Sequence, residues 1–324
     1  RMEKFHEQNF KKEFNINEFE RFRLEQLAEK KRKSYRAALI IFPINIILSG
    51  LLVLLDFDMV AFFVLPAVGV FLFFVYRDML GKKYFENFKE SLLKKLFELS
   101  APEFQYFPNS CVADTLFIES GFVKGYSKYS GEDLFQGIIN EIPVEFSEIT
   151  VLLKSHKDRR KFRKGKTVFK GVFYAFSWNK TFSGVTQILP DKMEKLFGGL
   201  GTLVQKMNSS ALLGDGRDSL VKFDNKDFEK EYAVYSDNEM EARSIISEPL
   251  MIFLLDLKKN TNAKVYFSFV GNKVFLGIHN NKDILKVGNI NESVTENGFL
   301  QKYFNEIEAC ILNARKIVKI LEIR

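Results

Sequence analysis

Tryptophan, histidine and cysteine are all scarce in this sequence. Among 324 residues there are one tryptophan, three histidines and two cysteines. Cys111 and Cys310 lie far apart, with no C-x-x-C spacing, which excludes a disulfide framework and a structural zinc site. They read as small buried hydrophobes in a reducing compartment. His6, His156 and His279 have no second histidine or cysteine at ligand spacing, so no metal site is expected, and no cofactor. Gly198-Gly199-Leu200-Gly201 lacks the Lys-Ser/Thr of a phosphate loop and reads as a linker. No Ser-His-Asp or Cys-His arrangement is apparent from spacing, and nothing rises to a catalytic signature.

What is abundant is phenylalanine, with 35 residues, and apolar sequence in two long runs. Ala37–Leu55 and Met59–Tyr76 contain no charged residue. As helices each would be about 27–28 Å long, close to the hydrocarbon thickness of a bilayer. Asp56-Phe57-Asp58 separates them, and two acids at the bilayer centre would be costly, so the pattern predicts a transmembrane hairpin with the acids at its tip. A buried core hairpin is the competing reading, but core helices rarely run so far without charge. A signal peptide is disfavoured by the polar residues before the first run and the second span directly after it. Pro43 and Pro66 do not veto membrane helices. Asn45, Ser49, Gly50 and Gly69 suit helix packing rather than transport.

The flanks give a direction. Lys30, Lys31, Arg32, Lys33 and Arg36 precede the first run, and Arg77, Lys82 and Lys83 follow the second. The positive-inside rule then predicts an inner-membrane, multi-pass protein with both termini cytoplasmic. Residues 1–36 form a cytosolic amphipathic arm, 37–76 the hairpin (37–55 and 59–76), 77–102 a stalk helix, and 103–324 a cytosolic domain. In the stalk, Phe85, Phe88, Leu92, Leu96 and Leu99 recur on one face, and Pro102 ends the pattern. The arm and stalk are expected to pair, continuing the hairpin. A helix lying on the headgroups is the alternative.

Beyond residue 103 short strands and helices alternate without a βαβ rhythm, predicting an α+β domain with antiparallel strands. Ile142–Lys154 and Thr167–Trp178 read as strands. Thr181–Leu189 is expected to return beside the second across Asn179-Lys180. Glu132-Asp133 is expected to cap a helix over Leu134–Asn140. Ser236 with Glu239 reads as a capping box, and Ser247-Glu248-Pro249 as a helix restart. Lys264–Val270 and Lys273–His279 form the clearest hairpin, joined by Gly271-Asn272. A last helix is expected from Ser293, capped with Glu296.

Three ordered blocks then carry a resemblance: GEDLFQGIINEIPVEFSEI (131–149), FKGVFYAFSWNKTFSGVTQILPD (169–191) and VKFDNKDFEKEYAVYSDNEMEARSIISEPLMIFLLDL (221–257). Together they resemble a bacterial family known as domain of unknown function 3137, over most of residues 100–290. The resemblance implies two apolar spans ahead of a mixed domain in a bacterial membrane. The family has no established activity, so it assigns no catalytic residue.

The most charged stretch is HKDRRKFRKGK, residues 156–166. From Lys157 to Lys166 its seven bases and one acid sum to +6, against +7 for the chain. As a hairpin tip it can be a solvated loop. On a domain tethered to an acidic leaflet, Lys157, Arg159, Arg160, Lys161, Phe162, Arg163, Lys164 and Lys166 are candidate lipid contacts, each base gaining about 1 kcal/mol near the surface. Nucleic acid is the third and least expected partner, because no reader motif accompanies the run. The leading expectation is a non-enzymatic, membrane-anchored interaction module for a protein partner or self-association. The alternative is a membrane-associated enzyme whose site gathers Glu132, Asp133, Glu148 and Asp237.

Overall fold

The computed structural model describes residues 16–55, 60–90, 94, 101–123, 125–153, 165–190, 219–282, 293 and 299–322. The expected tip Asp56–Asp58, most of the distal stalk, the basic run up to Lys164, the glycine-rich connection and the cap at Glu296 lie outside them. The chain divides into two compact units, residues 1–93 with 287–304, and residues 94–286 with 305–324.

The first unit is built on two apolar helices, α1 (Ile16–Leu54, 39 residues) and α2 (Val60–Phe88, 29 residues). At 1.5 Å per residue they are about 58 and 43 Å long, so each continues well past its charge-free run. They pack antiparallel. Phe42 meets Phe73 with ring centroids 5.6 Å apart. A Cβ on Gly69 would lie 2.6 Å from Asn45 Nδ2, and one on Gly81 would lie 3.1 Å from Lys30 Nζ. Close approach at Gly69 is what lets the helices touch, as small residues do in helix pairs. The amide of Asn45 donates to Ile41 O (2.8 Å) and the hydroxyl of Ser49 to Asn45 O (2.6 Å), so both polar groups are satisfied within their own helix.

The second unit is α+β. Its strands are β1 (Phe104–Phe107), β2 (Lys128–Ile139), β3 (Ile142–Leu153), β4 (Lys166–Ser177), β5 (Thr186–Pro190), β6 (Ser219–Val221), β7 (Tyr232–Ser236), β8 (Lys264–Val270) and β9 (Lys273–His279). They form one antiparallel sheet in the order β1-β2-β3-β4-β9-β8-β5-β7-β6. Its helices are α3 (Asp114–Ser120), α4 (Lys226–Glu231), α5 (Glu239–Ile245), α6 (Glu248–Thr261) and α7 (Phe299–Glu322), of which residues 305–322 belong to this unit.

Period-two alternation sends side chains to both faces, and both faces are covered. On one face Phe117 of α3 is the hub of an aromatic cluster, with ring centroids 5.2 Å from Phe173, 5.5 Å from Phe169 and 5.8 Å from Tyr129. The carbonyl of Ser120 closes this side by accepting from Gln187 Nε2 (3.1 Å) and Ser268 Oγ (3.0 Å). On the other face Tyr106, Phe135, Phe146 and Tyr174 form one cross-strand row, with successive centroids 4.8, 4.8 and 5.0 Å apart. Over it lies the apolar stripe Ile307, Cys310, Ile311, Ala314, Ile317 and Val318 of α7, spaced as a helix face requires. The phenol of Tyr174 donates to Cys310 O (3.3 Å), and that of Tyr232 to Leu254 O of α6 (2.9 Å).

Three local expectations are corrected. Leu134–Asn140 is not a helix; Leu134–Ile139 ends β2, and Asn140-Glu141, with φ of 46° and 67°, make the two-residue turn into β3. Gly137 inside the stretch already weakened a helix by about 1 kcal/mol, and pairing with β3 supplies what the helix lacked. Thr181–Leu189 does not return beside β4. Trp178 N–H donates to Asn272 O and Phe182 N–H to Gly271 O, both at 2.7 Å, so the chain crosses the β8–β9 turn. β5 then pairs with β8 and β7, while β9 takes the place beside β4. The cap of α5 is Asn238, whose Oδ1 accepts from Glu241 N–H (3.1 Å); Ser236 is buried and shares a hydrogen bond with Thr186 Oγ1 (2.9 Å). The β8–β9 hairpin and the restart with Pro249 in the first turn of α6 stand as expected.

Candidate functional site

β3 ends at Leu153 and β4 begins at Lys166, and these two residues are register partners. The basic run is thus the connection of a hairpin whose arms are fixed in the sheet. Of its eight candidate lipid-contact residues only Lys166 is described, exposed at the start of β4. Lys157, Arg159, Arg160, Lys161, Phe162, Arg163 and Lys164 lie outside the described residues.

Of the four acids of the enzyme reading, Asp237 lies apart from the other three. Glu132 and Glu148 are register partners across β2 and β3 and share the face that carries the aromatic row. Asp133 departs from them at a bulge, with φ 60°, fully buried, where its Oδ1 accepts from the Tyr106 hydroxyl at 2.5 Å and its N–H donates to Pro108 O at 3.0 Å. That is a structural cap on a kinked strand. Asp237 follows β7, five strand spacings from β3 in the sheet order, or about 24 Å at 4.8 Å each. Its Oδ1 accepts from Val185 N–H (2.7 Å), and Glu241 beside it takes the N–H groups of Ser183 (2.9 Å) and Gly184 (2.7 Å). These carboxylates clamp the loop before β5, and a Cβ on Gly184 would come within 2.4 Å of Asp237 Oδ1. Paired acid–base work needs two carboxylates facing one reacting centre. Glu132 and Glu148 share a face at adjacent positions, with Asp133 beside them at the bulge.

The nucleophile candidates are held neutral. Burial pushes the Cys310 thiol up to about 12, with the Glu148 and Glu306 carboxylates adding to the shift and the Tyr174 hydrogen bond opposing it. Cys111 is half-buried, and burial, then the Asp114 carboxylate, raises its thiol too. Thiols so placed carry little thiolate at neutral pH. Burial also raises the phenols of Tyr129, Tyr174, Tyr232 and Tyr266. Tyr129 spends its proton on Val112 O (2.7 Å), as Tyr174 and Tyr232 do on their helices. His279 is buried at the end of β9 against the Phe169 ring, centroids 5.5 Å apart, with Nδ1 2.9 Å from Lys170 N. Burial lowers its pKa, the Lys170 backbone hydrogen bond opposing and Lys264 adding. Among the described residues no group of three or more His, Cys, Asp or Glu could hold a metal ion.

The most unusual surface is in the first unit. Leu39, Ile40, Ile46, Ile47, Phe63 and Phe71 are each more than half exposed, and Leu54 is 82 % exposed. Spans of 33 residues (Glu20–Leu52) and 20 residues (Phe63–Lys82) are long and apolar enough to cross a membrane, and only 6 % of the 18-residue apolar stretch within each is buried. A core hairpin of a water-soluble fold would instead be covered. The sequence signal for this surface was the charge-free run itself.

The molecule therefore belongs to a class defined by architecture: two long apolar helices in one unit, and a nine-stranded antiparallel α+β domain in the other. Residues 167–322, from the first residues of β4 to the end of α7, match the family described as protein of unknown function (DUF3137). The matched stretch leaves out the 131–149 block and takes in α7, which lies beyond the blocks that first suggested the family. No curated protein matches the sequence. Among solved structures, the crystal structure of the mycobacterial trehalose monomycolate transport factor A, TtfA, is similar at 13 % identity over 70 % of this chain and 93 % of that one. Its TM-score is 0.34, and at that level no role transfers from it.

Proposed function

We propose that the protein is a membrane-anchored interaction module without enzymatic activity. The α1–α2 pair inserts as a hairpin into a bacterial cytoplasmic membrane, both termini stay in the cytoplasm, and the sheet domain receives a protein partner or a second copy of the chain at the membrane. The observation that carries the reading is the outward apolar surface of α1 and α2. A soluble monomer rarely exposes a contiguous apolar patch above about 300–600 Å², and two helices of leucine, isoleucine, valine and phenylalanine far exceed that. In hydrocarbon the same surface costs nothing, and the helices satisfy their own backbone groups. The separation of Asp237 from the other three acids and the neutral thiols support a binding role over catalysis. The basic β3–β4 connection is proposed to touch anionic lipid beside the anchor.

Alkaline carbonate extraction of bacterial membranes containing the full-length protein tests the anchor, with protease added to spheroplasts to test its sidedness. Retention in the pellet, with the sheet domain protected from external protease, is expected. Release into the supernatant sinks the proposal.

A further inference from the structure

At one end of the apolar hairpin the charges change character. Residues 29–36 and 76–82 contain seven bases and two acids. Both acids are engaged along their own helices, Glu29 with Lys33 (2.5 Å) and Asp78 with Lys82 (3.4 Å). Lys31, Arg32, Arg36 and Arg77 are exposed, and no ion pair involves them among the described residues. The contacts of Asn45 with Gly69, Phe42 with Phe73 and Lys30 with Gly81 fix the antiparallel register, which brings Arg36 and Arg77 to one level. Each of these arginines sits at the boundary of a charge-free run, beside a tyrosine: Tyr35, 66 % exposed, and Tyr76, 37 % exposed. Tyrosine at the edge of an apolar span marks the headgroup level, where the ring is dry and the hydroxyl wet.

We propose that this collar is a binding surface for anionic phospholipid headgroups, formed by Lys31, Arg32, Arg36 and Arg77 with Tyr35 and Tyr76 setting its depth. Guanidinium groups suit phosphate because they donate in a fixed, bidentate fork. Their uncompensated charge at headgroup level has no protein partner among the described residues, and an anionic lipid supplies one. The collar is separate in sequence from the β3–β4 run and needs no contribution from it. The inference rests on the hairpin's being inserted in a bilayer, so insertion and headgroup choice are measured separately.

The full-length protein is reconstituted into vesicles of equal phosphatidylglycerol and phosphatidylcholine. Insertion is read as resistance to an alkaline wash. Headgroup choice is read as the ratio of the two lipids retained when the protein is re-extracted in mild detergent. Wild type is expected to stay inserted and to retain phosphatidylglycerol in at least about fivefold excess, a modest fraction of what four bases near a surface can supply. The variant K31Q/R32Q/R36Q/R77Q is expected to stay inserted with the ratio fallen to parity, whereas K31R/R32K/R36K/R77K, which keeps the charge but has fewer guanidinium forks, keeps a reduced excess. Parity in inserted wild type, or an undiminished excess in the glutamine variant, overturns the headgroup proposal while leaving the anchor intact. Wild type lost in the wash overturns both.

Discussion

Gly171 offers the sharpest test of how the sheet is held together. It lies in β4 opposite His279 of β9 with φ of 151°, a conformation that residues with a Cβ rarely adopt. A Cβ there would sit 2.0 Å from the carbonyl oxygen of Ile278 and 3.1 Å from its carbon. The obstacle is backbone at the centre of the sheet and cannot rotate away. In Gly171→Ala the strain costs about 1–3 kcal/mol. Parting β4 from β9 locally forfeits one or two ladder hydrogen bonds at about 1 kcal/mol each. The expected loss is thus roughly 2–5 kcal/mol, a large part of a typical domain's stability. With a urea slope of about 2–3 kcal/mol/M, the midpoint should fall by about 1–2 M. Trp178, the single tryptophan, is half-buried just after β4 and bonds through its N–H to the β8–β9 turn, so its fluorescence reports this part of the sheet in the full-length protein. Gly271 is the control. Its φ is 57°, but a Cβ would meet nothing within 4 Å, so Gly271→Ala should lose only about 1 kcal/mol and Gly271→Asn less. Equal midpoints for Gly171→Ala and Gly271→Ala would refute the clash argument.

Other perturbations read other parts of the molecule. In native protein at pH 8, Cys310 should resist iodoacetamide while half-buried Cys111 is modified first, and urea should equalise them; mass spectrometry of the two peptides checks this. His279 has its pKa lowered on folding, so below about 6.5 the unfolded chain binds more protons than the folded one and stability falls as the medium is acidified. The urea midpoint should therefore drop between pH 7.5 and 5.5, and His279→Gln should flatten that part of the slope. At the hairpin seam, Gly69→Ala should lower the thermal midpoint of the helices in detergent, followed by circular dichroism. Adding Asn45→Ala should recover most of the loss, because the Cβ at 69 meets the Asn45 side chain rather than backbone.

The parts of this molecule that were readable in advance are those specified by near neighbours. The two apolar helices follow from composition alone, and the β8–β9 hairpin from alternation around Gly271-Asn272. Pro249 announced the restart of α6, and the flanks of the basic run were already strand-like. What could not be read is decided at a distance. Asn140-Glu141 is a two-residue turn without glycine, so its positive φ values left no mark, and the residues before it passed for a helix until pairing with β3 is seen. β5 was assigned to β4 because they are adjacent in sequence, whereas β9 and β8 stand between them. The acids were grouped by type; the sheet separates Asp237 from Glu148, and hydrogen bonds to backbone N–H groups explain both Asp237 and Glu241. The exposure of apolar residues was implicit in the charge-free runs, but the collar at their ends needed the register of α1 against α2.

The strand order also has a kinetic consequence. β1 to β4 form a meander from chain that leaves the ribosome early, but the partner of β4 on its other edge is β9, and β9 reaches it only with β8. Close to 90 residues separate the end of β4 from the start of β8, several seconds or more of synthesis at about 5–20 residues per second. For that interval the nascent meander presents an open edge along Gly171–Ser177, with phenylalanine at 173 and 176. An open apolar edge is a template for wrong pairing. A translational pause placed between β4 and β8 should lengthen that exposure and increase aggregation of newly made chains, whereas a pause after β9 should not.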